Sequence, residues 1–154
     1  MNRLLASVLI LAAAAAGCST VPSTDSARSA VSSAVQAWAS AFNTCDANRI
    51  AALYSGEAVL WGTVATTLIA NPVGIHQYFE RACSSKPPPS VTIGDQNVRV
   101  YGDTANSSGT YAFSFGPEDK RRTVQARFSF TFHLSDGQWL IVDHHSSLVP
   151  APPR

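Results

Sequence analysis

The chain predicts an α+β fold, and two observations carry that prediction. In the first half, apolar residues recur at steps of three and four; from Val91 onward they alternate at the two-residue period of strands. Helices that precede an antiparallel sheet gather against one of its faces. A strongly bent sheet covered in this way encloses a cone-shaped cavity.

The elements follow in order along the 154 residues. Met1–Arg3 form a short basic start, Leu4–Ala16 an uncharged apolar run, and Gly17-Cys18 closes it. That is the pattern of a secretory signal, and the run is shorter than the ~20 residues that span a bilayer. Ala15-Ala16-Gly17-Cys18 resembles a bacterial lipobox, in which the Cys is acylated and the chain is cut before it. Residues 1–17 are therefore read as signal, 18–24 as lipidated Cys18 and linker, 25–150 as one domain and 151–154 as tail. The mature protein is expected on the periplasmic side of a membrane, held by lipid alone.

Ala27, Ala30, Val31, Ala34, Val35, Trp38 and Phe42 place a helix over 24–43, capped by Thr24 or Ser23, with Asp25 near its positive end. A short helix is expected over Ala47–Tyr54, a strand over Glu57–Trp61 and a loop over 62–71. Asn71-Pro72 starts another helix, a capping residue followed by Pro at the first helical position. It carries Ile75, Tyr78, Phe79 and Ala82 and stops near Lys86-Pro87-Pro88-Pro89. Strands follow over Val91–Tyr101, Ala105–Phe115, Thr123–Leu134 and Trp139–Leu148, separated by Gly102-Asp103, Gly116–Asp119 and the hairpin signal Asp136-Gly137.

The formal charge is +1, and the one basic run, Lys120-Arg121-Arg122, falls in a turn, so nucleic-acid binding is unsupported. With Cys18 acylated, Cys45 and Cys83 remain. In an exported protein they are expected to pair, a cross-link worth about 3–4 kcal/mol. Neither has a second ligand at finger-like spacing, so zinc is not expected.

Four features suggest chemistry: Leu60-Trp61-Gly62-Thr63, Tyr78-Phe79, Asp143-His144-His145-Ser146-Ser147, and the polar row Arg127, Ser129, Thr131 and His133. Alternation puts Leu140, Val142, His144 and Ser146 on one face of the last strand, and Trp139, Ile141, Asp143, His145 and Ser147 on the other. His144 and His145 then cannot share a metal, and Asp143 with His145 makes only half a site. No nucleophile elbow and no phosphate loop occur in the sequence.

Over roughly 26–150 the chain resembles the nuclear-transport-factor-2-like superfamily, in the branch related to the association domain of calcium/calmodulin-dependent protein kinase II. Val59-Leu60-Trp61-Gly62-Thr63, Ile75-His76-Gln77-Tyr78-Phe79 and Trp139–Ser147 with Pro150 are similar to the iota-class carbonic anhydrases. The His-His-Ser-Ser run before a Pro is the most specific piece. The resemblance implies a cone-shaped, cystatin-like α+β fold and a homodimer formed through the outer sheet face. It also implies reversible hydration of CO2 to bicarbonate, in a family whose members are described both as metal-dependent and as metal-free; the residues of this sequence support no metal site, so no cofactor is expected. Thr63, Tyr78, His144 and Ser146 match the residues that surround bicarbonate, and Trp61, Arg127 and Ser129 are added as binding residues. The sequence departs from the family at Thr66–Ala70, where a basic residue is expected before the helix.

In the mechanism this implies, His144 takes a proton from a water held by Thr63 and Ser146, while Tyr78 donates to the oxygen that becomes negative. Two other readings stand beside it: a binding module that holds a small apolar ligand in the cone, and a ketosteroid-isomerase-like proton transfer, which needs a carboxylate base in the cone, with Asp95 and Asp143 the local candidates.

Overall fold

The computed structural model describes residues 23–152; the signal segment and Cys18 lie outside the described residues. Helix α1 (Thr24–Thr44) begins where the sequence puts it, with Ser23 Oγ accepting from the Ser26 N–H at 3.3 Å. It ends at Cys45, whose φ of 52° is a left-handed cap. Helix α2 (Ala47–Ala51) is capped by Asp46 and stops at Ala51 rather than Tyr54. Pairing with the sheet overrides the helical pattern there, because the Ile141 N–H donates to Leu53 O at 2.9 Å and Tyr54 lies opposite Ile141. Strand β1 therefore starts early (Tyr54–Trp61). Helix α3 (Pro72–Ala82) has the cap foreseen for it, with Asn71 Oδ1 accepting from the Gly74 N–H at 2.8 Å.

Strands β2 (Ser90–Tyr101), β3 (Thr104–Phe115), β4 (Arg122–Ser135) and β5 (Gln138–Leu148) complete one sheet in the order β1-β5-β4-β3-β2. All neighbours are antiparallel except β1 and β5, which run parallel. The β4–β5 hairpin turns on Asp136 (φ 50°) and Gly137 (φ 78°), the left-handed pair that its two-residue loop requires. Helix α1 packs on β2 and β3, and α3 packs on β1 and α2. Helices on one face of a bent sheet are the α+β architecture expected, but the sheet is mixed rather than antiparallel, because β1 enters beside β5 in the same direction.

Three register irregularities interrupt the sheet, the first in β1 between Tyr54 and Val59, where it pairs with β5. In β2 the register shifts between Ile93 and Gln96. Gly109 of β3 lies against this shift, where a Cβ would collide with Asp95 O and the Phe128 ring. In β5, Thr131 faces Asp143 while Phe132 faces Ile141, so Val142 is an extra residue. Such a bulge re-aims the side chains that follow it. As a result Ile141, His144 and Ser146 all point into the core. Strict alternation had put Ile141 on the opposite face from His144, and the bulge corrects that.

Aromatic side chains dominate the core. Phe128, Phe130 and Phe132 of β4 face the helices, and Trp38 of α1 packs on Phe42, Phe79, Tyr111 and Phe130 at centroid distances of 5.4–6.2 Å. Each such side chain contributes roughly 1.5–3 kcal/mol by burial.

Cys45 and Cys83 cap the C-terminal ends of α1 and α3, which brings their thiols together. Both are free in this structure, so the disulfide expected from the sequence is not formed. The fold supplies the juxtaposition, while the bond needs an oxidant. Burial, and then the Cys45 thiol beside it, push the Cys83 thiol up to about 12. A thiolate is the reactive form, so in the reduced protein Cys83 should alkylate at about pH 8 more than ~10-fold slower than a free cysteine. Peptide mapping after timed iodoacetamide exposure would check this, and an ordinary rate at Cys83 would contradict it.

Candidate functional site

A cavity of about 370 Å³ opens between the helices and the concave sheet face. Its wall is mainly aromatic and aliphatic, and the polar groups are few and clustered. Thr63, Tyr78, His144 and Ser146, the four residues matched from the sequence, all line it.

Each reaches the cavity for a local reason. Thr63 follows the end of β1 in a turn closed by the Ala65 N–H donating to Gly62 O at 3.0 Å. Beyond that turn the chain is tied back by reciprocal backbone hydrogen bonds between Leu60 and Ile69, at 2.8 and 3.1 Å. Tyr78 projects from α3 across Gly62, where any Cβ would overlap its ring. The Gly of the Trp-Gly-Thr segment is thus what lets Tyr78 lie against the turn. The β5 bulge turns His144 and Ser146 inward, where they are 2% and 6% exposed. Thr63 Oγ1 and Ser146 Oγ are in direct hydrogen-bond contact.

Three buried residues to which the sequence assigned no part in the site join this cluster. Tyr54 Oη lies 2.7 Å from His144 Nδ1 and accepts from Trp38 Nε1–H at 3.0 Å. Tyr111 Oη lies 3.5 Å from His144 Nε2. Tyr54 was missed because the second helix was drawn through it. Trp38 and Tyr111 sat in regular apolar rows, and nothing in those rows marks a polar contact.

Burial sets the electrostatics. His144 stacks on Phe130 at 4.0 Å and meets Trp38 edge-on at 5.3 Å. This burial, with the His145 charge adding to it, pushes His144 down from 6.5 to about 3. Burial also raises Tyr54, Tyr111 and Tyr78. The rise at Tyr111 is opposed by the Ser146 and Thr63 hydroxyls, and that at Tyr78 by the backbone at Val64 and Thr63. At ordinary pH the cluster is uncharged and rich in hydroxyls. An imidazole whose proton affinity is lowered in this way is a weak base, so the cluster favours a proton route that does not charge His144.

The three added binding residues do not reach the cavity. Arg127 and Ser129 alternate with the inward-facing Ala126, Phe128 and Phe130, so they sit on the outer sheet face, where Arg127 Nε donates to Ser147 Oγ at 3.0 Å. Trp61 lies opposite His145, points the same way and is 44% exposed. Asp143 pairs with Thr131 on that outer face, and Asp95 is exposed at the β2 irregularity. Neither carboxylate is positioned to be a base in the cone. Among the described residues no three His, Cys, Asp or Glu side chains converge in a way that would hold a metal.

The buried imidazole predicts an acid limb in stability. Its proton affinity is lower folded than unfolded, so the unfolded state takes up the extra proton below about pH 6.5. The contribution is complete above 6.5 and is lost as pH falls toward about 3. At 1.36 kcal/mol per unit, roughly 4 kcal/mol should disappear between about pH 7 and 3.5. Urea titrations across that range should show this limb, and His144→Gln should flatten it. An equally steep limb in the variant would contradict the assignment.

A SnoaL-like domain model matches residues 31–152. The chain is similar to a candidate calcium/calmodulin-dependent protein kinase II association domain from Xanthomonas campestris, with 34% identity and a TM-score of 0.71 over 78% of this chain and 86% of that one. A candidate dehydratase of the NTF2-like family from Streptomyces avermitilis gives 17% identity and a TM-score of 0.76, over 84% and 100%. The hub homology domain of the same kinase from Chlamydomonas reinhardtii gives 24% and 0.68, over 80% and 99%. At these identities the last two report the fold alone. No curated protein sequence matches the chain. With the family model spanning most of the domain and a relative above 30% identity, the chain belongs to the SnoaL-like domain family and has the NTF2-like, cystatin-like fold.

Proposed function

We propose that this domain hydrates CO2 reversibly to bicarbonate, without a cofactor, in the cone. The observation that carries the reading is the convergence of Thr63, Tyr78, His144 and Ser146 in one otherwise apolar cavity. An apolar wall suits CO2. Clustered hydroxyls suit the water that attacks it and the oxygens that gain charge.

With His144 too weak a base, the proton route that fits is a hydroxyl relay. Water held at Ser146 attacks carbon, and its proton passes to Ser146 Oγ as the Ser146 proton moves to Thr63 Oγ1 and the Thr63 proton to a CO2 oxygen. Both hydroxyls end as they began, because each donates and accepts at once. The product is carbonic acid, which ionises in solvent. Tyr78 O–H donates to the other CO2 oxygen. In this cofactor-free route no metal ion lowers the pKa of the attacking water toward neutrality, so the rate lies well below that of a zinc enzyme.

The setting belongs to the same proposal. The signal and Cys18 argue for a lipid-anchored domain outside the cytoplasm. The name association domain, borne by the 34% identical structure, is in keeping with self-association, for which a homodimer through the outer sheet face is the form proposed.

A second reading rests on the cavity itself. About 370 Å³ of mainly apolar wall, with the exposed Arg122 over Phe115 at 5.9 Å beside it, exceeds what bicarbonate fills. A larger apolar ligand with an oxygen-bearing head would use it fully.

Stopped-flow CO2 hydration by the soluble domain from Ser23 onward, after chelator treatment, separates the two. Activity should survive the chelator and fall at least ~10-fold in Thr63→Val and in Ser146→Ala, the loss given by removing one relay or transition-state hydrogen bond. An inactive wild type would leave the ligand-binding reading.

A further inference from the structure

The deepest polar atoms of the cone form a ladder whose direction is fixed from one end. Trp38 Nε1–H can only donate, and it donates to Tyr54 Oη at 3.0 Å. Tyr54 is buried at 8% exposure, and its oxygen meets one other polar side-chain atom, His144 Nδ1 at 2.7 Å. One lone pair of Tyr54 is taken by Trp38, so its hydroxyl proton has a single destination. Were Nδ1 the protonated nitrogen, both neighbours would donate to Tyr54, and the Tyr54 O–H would be buried with no acceptor, an arrangement native interiors avoid.

We infer that Tyr54, oriented by Trp38, is a positioning residue that locks His144 as the Nε2–H tautomer, making the deep end of the cone a donor that recognises an acceptor oxygen of the substrate. The imidazole is neutral, so a proton barred from Nδ1 resides on Nε2, which meets the hydroxyl of Tyr111, like His144 a residue of the cavity wall. The Tyr111 contact is long, at 3.5 Å, so a nearer substrate oxygen would replace it as the partner of the Nε2–H. Carbonyl, carboxylate, CO2 and bicarbonate oxygens fit this donor, whereas an ammonium or other donor group does not. Around His144 the other facing groups are Trp38, Phe130, Tyr111 and, across the sheet, His145, none of which offers Nδ1 an acceptor in place of Tyr54. In its catalytic role the inference rests on the CO2 reading above; the tautomer does not.

The test is long-range ¹H–¹⁵N correlation on full-length protein labelled at histidine, at neutral pH, with CO2 hydration measured on the same samples. Wild type should show a pyrrole-type Nε2 and a pyridine-type Nδ1 for His144. Tyr54→Phe, which keeps the ring but loses the hydroxyl, should show a mixture of tautomers. Its kcat should fall by roughly 10-fold or more, the scale of a lost transition-state donor, with a smaller change in KM. Trp38→Phe supplies a second variant should the first unfold, because freeing the Tyr54 lone pair should also admit the other tautomer. An Nδ1–H tautomer in wild type would overturn the inference, as would an unmixed Nε2–H tautomer in folded Tyr54→Phe. A wild type that shows the Nε2–H tautomer but hydrates no CO2 supports the donor site and removes only the CO2 reading.

Discussion

The imidazole of His144 lies stacked on Phe130 and edge-on to Trp38, far from water. Much else in the molecule is arranged around keeping it there uncharged. A buried polar ring must find partners for both nitrogens or lose the solvation it gave up. The fold meets that demand at Nδ1 with Tyr54, and it can do so only because β1 begins early enough to place that residue beside β5. At Nε2 the demand is met loosely, by Tyr111 at 3.5 Å. The unequal satisfaction of the two nitrogens is what separates a structural contact from a ligand contact in this core.

The parallel β1–β5 pair matters as much as the ring itself. It joins the turn that carries Thr63 to the strand that carries His144 and Ser146, with Leu60 opposite His144 and Trp61 opposite His145. The bulge at Val142 then turns the end of β5 inward, and Gly62 lets Tyr78 close over the turn. Four side chains from three distant segments meet because of one bulge, one glycine and one parallel pairing.

Much of this was legible in the residues. The long amphipathic helix, the Asn71-Pro72 start and the Asp136-Gly137 hairpin were readable because each rests on local chemistry: a spacing, a cap, a left-handed turn. Thr63, Tyr78, His144 and Ser146 were found by resemblance, and alternation within β5 correctly put His144 and Ser146 on one face. The failures share one cause. Tyr54 and Ile141 were misplaced because pairing across the sheet decides where β1 starts and where β5 slips, and neither leaves a local mark. Arg127, Ser129 and Trp61 were drawn toward the site by their polarity or size, while the two-residue period sends them to the outer face. Trp38 and Tyr111 look like ordinary core until a buried histidine appears beside them.

The pH profile of CO2 hydration reaches the central claim most directly. If His144 stays neutral and the proton travels through hydroxyls, the catalysed rate should be level between about pH 5 and 8, the range in which an ordinary histidine changes charge. A rate that instead rises through a midpoint near 6.5, and loses that inflection in His144→Gln, would mean that the imidazole is the base after all and that the cone holds it in contact with water.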